Sequence, residues 1–119
     1  MLIAEDEDEL RLLLAVVLEA EGFKVFQAED GQQAIELFEK HLDEIDIIFT
    51  DLGLPRLSGL DLIQRARKMK PSLKIIGSSG YGRANVREEV LKAGGDQFHP
   101  KPFIAGDLID AIKKLVADT

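Results

Sequence analysis

The sequence predicts an α/β protein in which a doubly wound, parallel sheet of five strands lies between two layers of helices. Five short apolar segments alternate with longer segments whose apolar residues recur at helical spacing. Each connection is long enough for one helical crossover, which requires neighbouring strands to be parallel. Right-handed crossovers then place helices on both faces of the sheet. For five strands this architecture favours the order 2-1-3-4-5.

Each strand is predicted from a short apolar run. The predicted strands are residues 1–4, 24–28, 46–50, 74–78 and 96–99. The third contains "IIFT" (47–50), which is typical of a strand covered on both faces. The chain begins within the first strand, so we expect either a missing leader or an engineered start at Met1 of an excised fragment.

The helices are predicted from apolar spacing and from residues that favour helix ends. The first opens at Asp8 or Glu9 and ends near a cap at Gly22. Its predicted buried residues are Leu10, Leu13, Leu14, Val17 and Leu18. The others follow the "EDG" turn (29–31) to about residue 41, follow a Ser58 cap and stop before Pro71, and cover about residues 83–93 and 105–117.

The composition is that of one ordinary globular domain, predicted over residues 1–119. The chain is 45% apolar and 31% charged. No apolar run approaches a membrane span and no signal peptide is evident, so we expect a cytoplasmic protein without membrane insertion. The net charge of −7 opposes direct nucleic-acid binding. The lack of cysteine excludes disulfides and thiolate metal sites.

Polar side chains follow four of the predicted strands where each strand ends. Glu5 and Asp6 follow the first strand, Asp51 the third, Ser79 the fourth and Lys101 the fifth. Ligands of such sheets bind at this edge. Three carboxylates repel one another unless a cation joins them, and Mg²⁺ prefers oxygen ligands. The pattern suits a carboxylate nucleophile that receives a phosphoryl group beside a metal ion and an ammonium group.

Four motifs in this order and spacing resemble those of the receiver domains of two-component response regulators. They are "AEDE" (4–7), "TDLGLPRLSG" (50–59), "SSGYG" (78–82) and "KPF" (101–103). The resemblance covers essentially the whole chain. It implies a flavodoxin-like fold and the transfer of a phosphoryl group from phosphohistidine. It also implies a conformational change that controls a partner or an attached domain.

The resemblance assigns the acidic residues. Asp51 matches the residue that accepts the phosphoryl group. Asp6 matches a direct ligand of Mg²⁺, or of another divalent cation such as Mn²⁺, and Glu5 matches a ligand that acts through water. The carbonyl of Gly53 matches the backbone ligand. The structural alternatives are a turn-forming Asp51 and an acidic pair that only favours the start of the first helix.

The resemblance also implies roles for three residues of the last two strands. Ser79 matches the switch hydroxyl, Lys101 the lysine that contacts the phosphoryl group, and Phe98 the aromatic switch residue. The bond from Lys101 to Pro102 is usually cis in the family. A turn serine, a surface lysine and a partly buried core aromatic are the alternatives.

Two glycines depart from the family pattern, and two histidines lie outside it. Gly77 replaces a bulky apolar residue, which predicts looser packing behind the switch hydroxyl. Gly53 is small where side chains often shape access to the phosphoryl group, so it leaves the lifetime of the adduct open. His41 and His99 are interpreted as surface or satisfied residues, since neither has a partner at metal or triad spacing.

The implied partner is a histidine kinase or a histidine phosphotransfer domain. The candidate dimer surface is the face made by the fourth helix, fifth strand and fifth helix. Receivers catalyse their own phosphorylation and dephosphorylation, so no enzyme acting on an external metabolite is expected. The motifs look most like receivers at the C-terminus of hybrid sensor kinases. A stand-alone chemotaxis-type regulator and a truncated transcription factor are alternatives.

Other function classes fit less well. A flavodoxin-like carrier needs hydroxyls or glycine amides after the first strand, where "EDEDE" (5–9) would repel the cofactor phosphate. An aspartate-dependent phosphatase commonly has a second Asp where Gly53 stands. "GSSGYG" (77–82) lacks the lysine of a P-loop. The remaining alternative is a nonphosphorylated interaction module that keeps only the fold.

Overall fold

Five parallel strands form one sheet in the order β2-β1-β3-β4-β5, with helices on both faces. The computed structural model describes residues 1–80 and 85–117. The strands are β1 (Leu2–Ala4), β2 (Phe26–Ala28), β3 (Ile47–Asp51), β4 (Lys74–Ser79) and β5 (Gln97–Pro100). The helices are α1 (Asp8–Ala20), α2 (Gly31–Lys40), α3 (Gly59–Met69), α4 (Val86–Ala93) and α5 (Ala105–Ala117). The predicted fold class and strand order are confirmed.

The strand ends differ from the prediction in ways that matter for the site. β3 includes Asp51, because Asp51 pairs with Ser78 in the ladder to β4. β4 likewise continues to Ser79, which pairs with Pro100 of β5. Both polar residues therefore belong to the strand ends and do not follow them. β2 starts at residue 26, two residues later than predicted, since its partner β1 begins only at Leu2.

The helix ends mostly agree with the prediction. The Ser58 side chain accepts a hydrogen bond from the amide of Asp61, 3.2 Å away, and so caps α3. Gly22 adopts a φ of +96° after α1, a conformation that glycine tolerates. The described part of α4 begins at Val86, whereas the predicted start at Arg83 lies outside the described residues. None of the described helices is long and apolar enough to cross a membrane.

Two apolar layers cover the sheet. The first joins α2, α3 and α4 to one face, and the second joins α1 and α5 to the other. Successive residues of β3 alternate between them: Ile47 and Phe49 contact the second layer and Ile48 the first. This explains why β3 is apolar from Ile47 to Phe49 before it ends in Thr50 and the carboxylate of Asp51.

The predicted buried face of α1 is only partly correct. Leu14 and Leu18 are buried, but Leu13 is 53% exposed. Arg11 and Ala15 are buried in its place. The helix is rotated relative to the prediction. Apolar residues also lie on both sides of the buried face, so their spacing alone fits more than one orientation of α1.

The predicted loose packing behind Gly77 is wrong. A Cβ atom added there would lie 2.9 Å from Cγ2 of Val90 and 3.4 Å from Cδ2 of Leu52. These side chains already fill the space that a larger residue would occupy. Gly77 is therefore closely packed against α4 and the loop after β3.

Candidate functional site

Three carboxylates meet at the carboxyl ends of β1 and β3. Ala4 of β1 pairs with Thr50 of β3, so the residues that come next, Glu5 and Asp51, lie at neighbouring strand ends. Together with Asp6, they each offer an oxygen within 4.8 Å of the others. Glu5 is fully buried and Asp51 is 8% exposed, while Asp6 is exposed. The predicted acidic cluster is thus brought together, with one side open to solvent.

The loop after Asp51 is held close to the strand end. The amide of Leu52 donates to the carbonyl of Ser78 at 2.9 Å, and the amide of Gly59 donates to the carbonyl of Leu52 at 3.1 Å. A Cβ atom added to Gly59 would lie 2.3 Å from the carbonyl oxygen of Asp51, so only glycine fits at this close approach. Gly53 is exposed beside the cluster. Its role as a backbone ligand stays a prediction.

Lys101 supplies the positive charge at this edge. Its Nζ atom lies 2.6 Å from Oε1 of Glu5 and 3.5 Å from Oδ1 of Asp51. The peptide bond from Lys101 to Pro102 is cis, as the resemblance implied. The amide of Glu7 donates to the other oxygen of Glu5 at 3.0 Å. The lysine predicted from sequence is therefore in the site and is closer to Glu5 than to Asp51.

Burial alters the pKa of all three charged groups inside the cluster. It raises the pKa of Glu5 and of Asp51, despite the opposing attraction of Lys101. Burial alone would lower the pKa of Lys101, but its interactions with Glu5 and Asp51 outweigh burial and raise it. Crowded carboxylates with a single nearby ammonium group favour the binding of a further cation.

The oxygen atoms of the cluster fit a hard divalent cation. Carboxylates and backbone carbonyls are the ligands that Mg²⁺ prefers, and it keeps part of its water shell. Asp6 and Asp51 can offer such oxygens. The short contact of Glu5 with Lys101 is an ion pair. Among the described residues, no well-aligned donor reaches Oε1 of Glu5.

Two adjacent serines end β4 in different environments. Ser78 is fully buried, and its hydroxyl donates to the carbonyl of His99 at 2.7 Å. Ser79 is half-buried at the last position of the strand. Since Asp51 pairs with Ser78, Ser79 lies one residue further along the same edge. Tyr81 and Gly82 of the motif "SSGYG" (78–82) lie outside the described residues.

Phe98 lies on β5, away from the carboxylates. It is half-buried and packs against the first apolar layer. The guanidinium carbon of Arg87 on α4 lies 5.6 Å from the centre of its ring. The aromatic residue therefore connects β5 with α4.

Both histidines are satisfied by neighbours outside the acidic cluster, as predicted. Nδ1 of His41 lies 2.7 Å from Glu44, and its ring stacks on Phe26. Nε2 of His99 lies 3.0 Å from the side-chain oxygen of Gln97.

The sequence interpretation missed Arg11, which is 6% exposed and donates to the carbonyl of Glu5 at 3.0 Å. A signal was present. Arg11 is three residues before Leu14 and seven before Leu18, which places it on the buried face of α1. A charged residue on such a face requires partners nearby.

Comparisons with known proteins agree on one family. Residues 1–113 match the model of the response regulator receiver domain. Sporulation initiation phosphotransferase F of Bacillus subtilis is 29% identical over 96% of this chain and 90% of its own length. The sensor kinase CckA of Brucella abortus is 31% identical over 98% of this chain, which spans only 12% of that kinase.

A solved structure agrees as well. A response regulator receiver domain protein from Clostridium thermocellum has a TM-score of 0.91 and 27% identity, with 98% of this chain and 93% of that chain covered. The shared fold, the match along the chain and the cluster at the strand ends lead to the same result. The chain belongs to the response regulator receiver domain family, and it is a phospho-accepting domain of two-component signalling.

Proposed function

We propose that Asp51 accepts the phosphoryl group, and that the donor is a phosphohistidine of a histidine kinase or histidine phosphotransfer domain. The observation that carries this proposal is the convergence of three carboxylates and Lys101 at the ends of adjacent strands. The family generally uses Mg²⁺. Here Glu5, Asp6, Asp51 and the carbonyl of Gly53 would hold Mg²⁺ or Mn²⁺, with Glu5 acting through water.

The transfer step uses the carboxylate of Asp51 as the nucleophile. One of its oxygens forms a bond to phosphorus while the bond from phosphorus to the imidazole nitrogen breaks, and that nitrogen keeps the electron pair. A cation held by these residues would neutralise part of the phosphoryl charge. Lys101 can turn from Glu5 toward the new phosphoryl oxygens, because its ammonium already lies 3.5 Å from Asp51. Ser79 supplies a hydroxyl donor from the next strand end.

The phosphorylated state would then act on a partner or an attached domain through a conformational change. We place residues 1–119 in one receiver domain in the cytoplasm, and a hybrid sensor kinase is the favoured parent protein. The same site would also return the phosphoryl group to water, so the chemistry on Asp51 is self-limiting. Receiver domains generally act as phosphoryl acceptors and not as enzymes on external metabolites.

The test of the acceptor is labelling with a small phosphodonor. Wild type incubated with acetyl phosphate and Mg²⁺ should gain the mass of one phosphoryl group, and the adduct should be stable in acid relative to base. Asp51→Ala should gain none. Asp43→Ala is the matched control, since Asp43 is an exposed aspartate outside the cluster and should leave labelling unchanged.

Two outcomes would contradict the proposal in different ways. Equal labelling of Asp51→Ala and wild type would show that another residue is the acceptor. If wild type neither gained a phosphoryl group nor bound beryllofluoride in Mg²⁺, the chain would be a nonphosphorylated interaction module. Intact mass spectrometry and fluorine NMR measure the two properties.

A further inference from the structure

A buried arginine lies directly behind the acidic cluster. Arg11 is 6% exposed, while the other buried residues of α1 are apolar: Leu14, Ala15 and Leu18. Burial of a guanidinium is unfavourable unless the group is paired and hydrogen-bonded. The position of Arg11 therefore requires an explanation in its contacts.

The guanidinium of Arg11 joins three elements. Nη1 donates to the carbonyl of Glu5 at 3.0 Å, and Nη2 donates to Oδ1 of Asp8 at 2.7 Å and to Oε1 of Glu29 at 3.4 Å. The accepting residues are Glu5, which follows β1, Asp8 in the first turn of α1, and Glu29, which follows β2. Each contact is to an atom outside the three carboxylates of the cluster, so the arginine leaves those oxygens available.

The hydrogen bond from Arg11 to the carbonyl of Glu5 determines the orientation of the peptide group between Glu5 and Asp6. That carbonyl and the amide of Asp6 belong to the same rigid peptide plane. The amide of Glu5 donates to the carbonyl of Ala28 at 3.0 Å, which fixes the other side of the residue. A hydrogen bond to its carbonyl then limits rotation of the next peptide. Asp6 is exposed, so the direction of its side chain depends on this backbone support.

The charge of Arg11 is balanced by carboxylates outside the cluster. Its Nη2 atom pairs with Asp8 and Glu29, whereas Lys101 is the side chain whose ammonium group contacts Glu5 and Asp51. Arg11 therefore acts on the site through the carbonyl of Glu5 and not as a counter-ion of the cluster.

We infer that Arg11 is a positioning residue of the metal site, which holds the Glu5–Asp6 peptide in the orientation that presents Asp6 to the cation. This inference rests on the divalent-cation site of the proposed function. Loss of an outer-shell partner of a metal ligand typically weakens metal affinity by about 10- to 100-fold. We expect Arg11→Met, which retains much of the length but none of the donors, to weaken Mg²⁺ binding by about tenfold or more.

Arg67 provides a matched control at the opposite end of the strands. Its guanidinium also donates to main-chain carbonyls and to one carboxylate, namely those of Gly94, Pro71, Leu73 and Asp96. These residues lie near the amino ends of β4 and β5. Arg67→Met removes a comparable clamp and should lower the free energy of unfolding, yet leave the Kd for Mg²⁺ unchanged.

The experiment is a Mg²⁺ titration of the whole chain followed by amide NMR, with urea unfolding of each variant. Wild type, Arg11→Met, Arg11→Lys and Arg67→Met are compared. Arg11→Lys should bind Mg²⁺ more weakly than wild type and more tightly than Arg11→Met, because lysine keeps the charge but not the fork of donors. In the metal-free state, the amides of Asp6 and Glu7 should shift in Arg11→Met and remain unchanged in Arg67→Met.

Each contrary outcome has a distinct meaning. A folded Arg11→Met with the wild-type Kd would overturn the inference. So would equal weakening by Arg11→Met and Arg67→Met, which would indicate a general effect of stability. If Arg11→Met does not fold, a wild-type Kd in Arg11→Lys would overturn it. Absence of Mg²⁺ binding in wild type would overturn the proposed metal site, and this inference with it.

Discussion

Asp51, the proposed acceptor, is largely buried, since only 8% of the residue is exposed. Burial raises its pKa above the ordinary value of 3.8, and the attraction of Lys101 compensates only in part. Burial raises the pKa of Glu5 in the same way. The cluster without a cation is therefore an unfavourable arrangement for stability, as expected of the proposed site, which a cation and a phosphoryl group would complete.

We predict that Asp51→Asn stabilises the metal-free protein at neutral pH. A neutral amide avoids the burial of charge, and the gain in the free energy of unfolding should be on the order of 1 kcal/mol. A raised pKa means that the folded carboxyl binds a proton more readily than the unfolded one. The contribution of Asp51 is therefore fully favourable below pH 3.8 and is lost as the pH rises through its raised pKa.

The difference in the free energy of unfolding between Asp51→Asn and wild type should accordingly decrease as the pH falls from about 7 to about 4. Urea unfolding in the presence of a chelator measures it. Asp43→Asn, on an exposed aspartate, is the control and should change little. A variant that is less stable than wild type at neutral pH, or a difference independent of pH, would contradict the prediction.

At the scale of elements, β4 depends on its contact with α4. Gly77 pairs with Phe98 across the sheet, and the side chains of Val90 and Leu52 occupy the space above it. Val90 is fully buried and cannot move outward freely. The absence of a side chain in the middle of this strand thus allows the helix to lie close to the sheet, near the proposed switch residues Ser79 and Phe98.

We predict that Gly77→Ala lowers the free energy of unfolding by about 1–3 kcal/mol, because its Cβ would lie 2.9 Å from Val90. Gly106→Ala is the matched control on α5, where an added Cβ meets no atom within 4 Å. That variant should be unchanged or more stable by up to about 1 kcal/mol. Urea unfolding compares the two. A Gly77→Ala protein as stable as Gly106→Ala would refute the close packing.

At the scale of the whole molecule, β4 lies between β3, which ends in the proposed acceptor Asp51, and β5 of the candidate output face. Ser79 ends β4 at the cluster, while Phe98 on β5 contacts Arg87 of α4. A phosphoryl group on Asp51 would attract the hydroxyl of Ser79, and the displacement would reach the ring of Phe98. A coupling of about 1–3 kcal/mol shifts the population of existing conformations and does not require a new fold.

We predict that Ser79→Ala still binds beryllofluoride in Mg²⁺ but gives a reduced response on the face of α4, β5 and α5. Ser78→Ala is the control. The hydroxyl of Ser78 donates to the carbonyl of His99, which indicates a structural role. It should keep the full response. Amide NMR shifts of residues 85–110 report the change, and equal shifts in wild type and Ser79→Ala, or shifts in neither, would exclude this switch.

The face of α4, β5 and α5 can also be tested for a role in dimer formation. The candidate dimer surface includes Arg87 beside Phe98, and both lie on the face that the switch would change. If this face pairs two copies, beryllofluoride should favour the dimer in wild type more than in Ser79→Ala. The shifts described above would then depend on protein concentration.

The order of elements and the members of the cluster could be predicted from the sequence alone. Asp51 follows the apolar run "IIFT" (47–50), Glu5 follows another short apolar segment, and Lys101 follows the last strand. Local patterns are sufficient for this, because parallel strands joined by crossovers all end at the same edge. The chemistry at that edge then follows from which residues end each strand.

Only the tertiary structure decided which side chains contact each other. It buried Arg11 and exposed Leu13, although the prediction counted Leu13 and not Arg11 among the buried residues of α1, and it filled the space beside Gly77 with Val90. It also brought Lys101 closer to Glu5 than to Asp51. These outcomes depend on how far one element is rotated against the next, a quantity set by packing between residues distant in the chain and not by the local spacing of residue types.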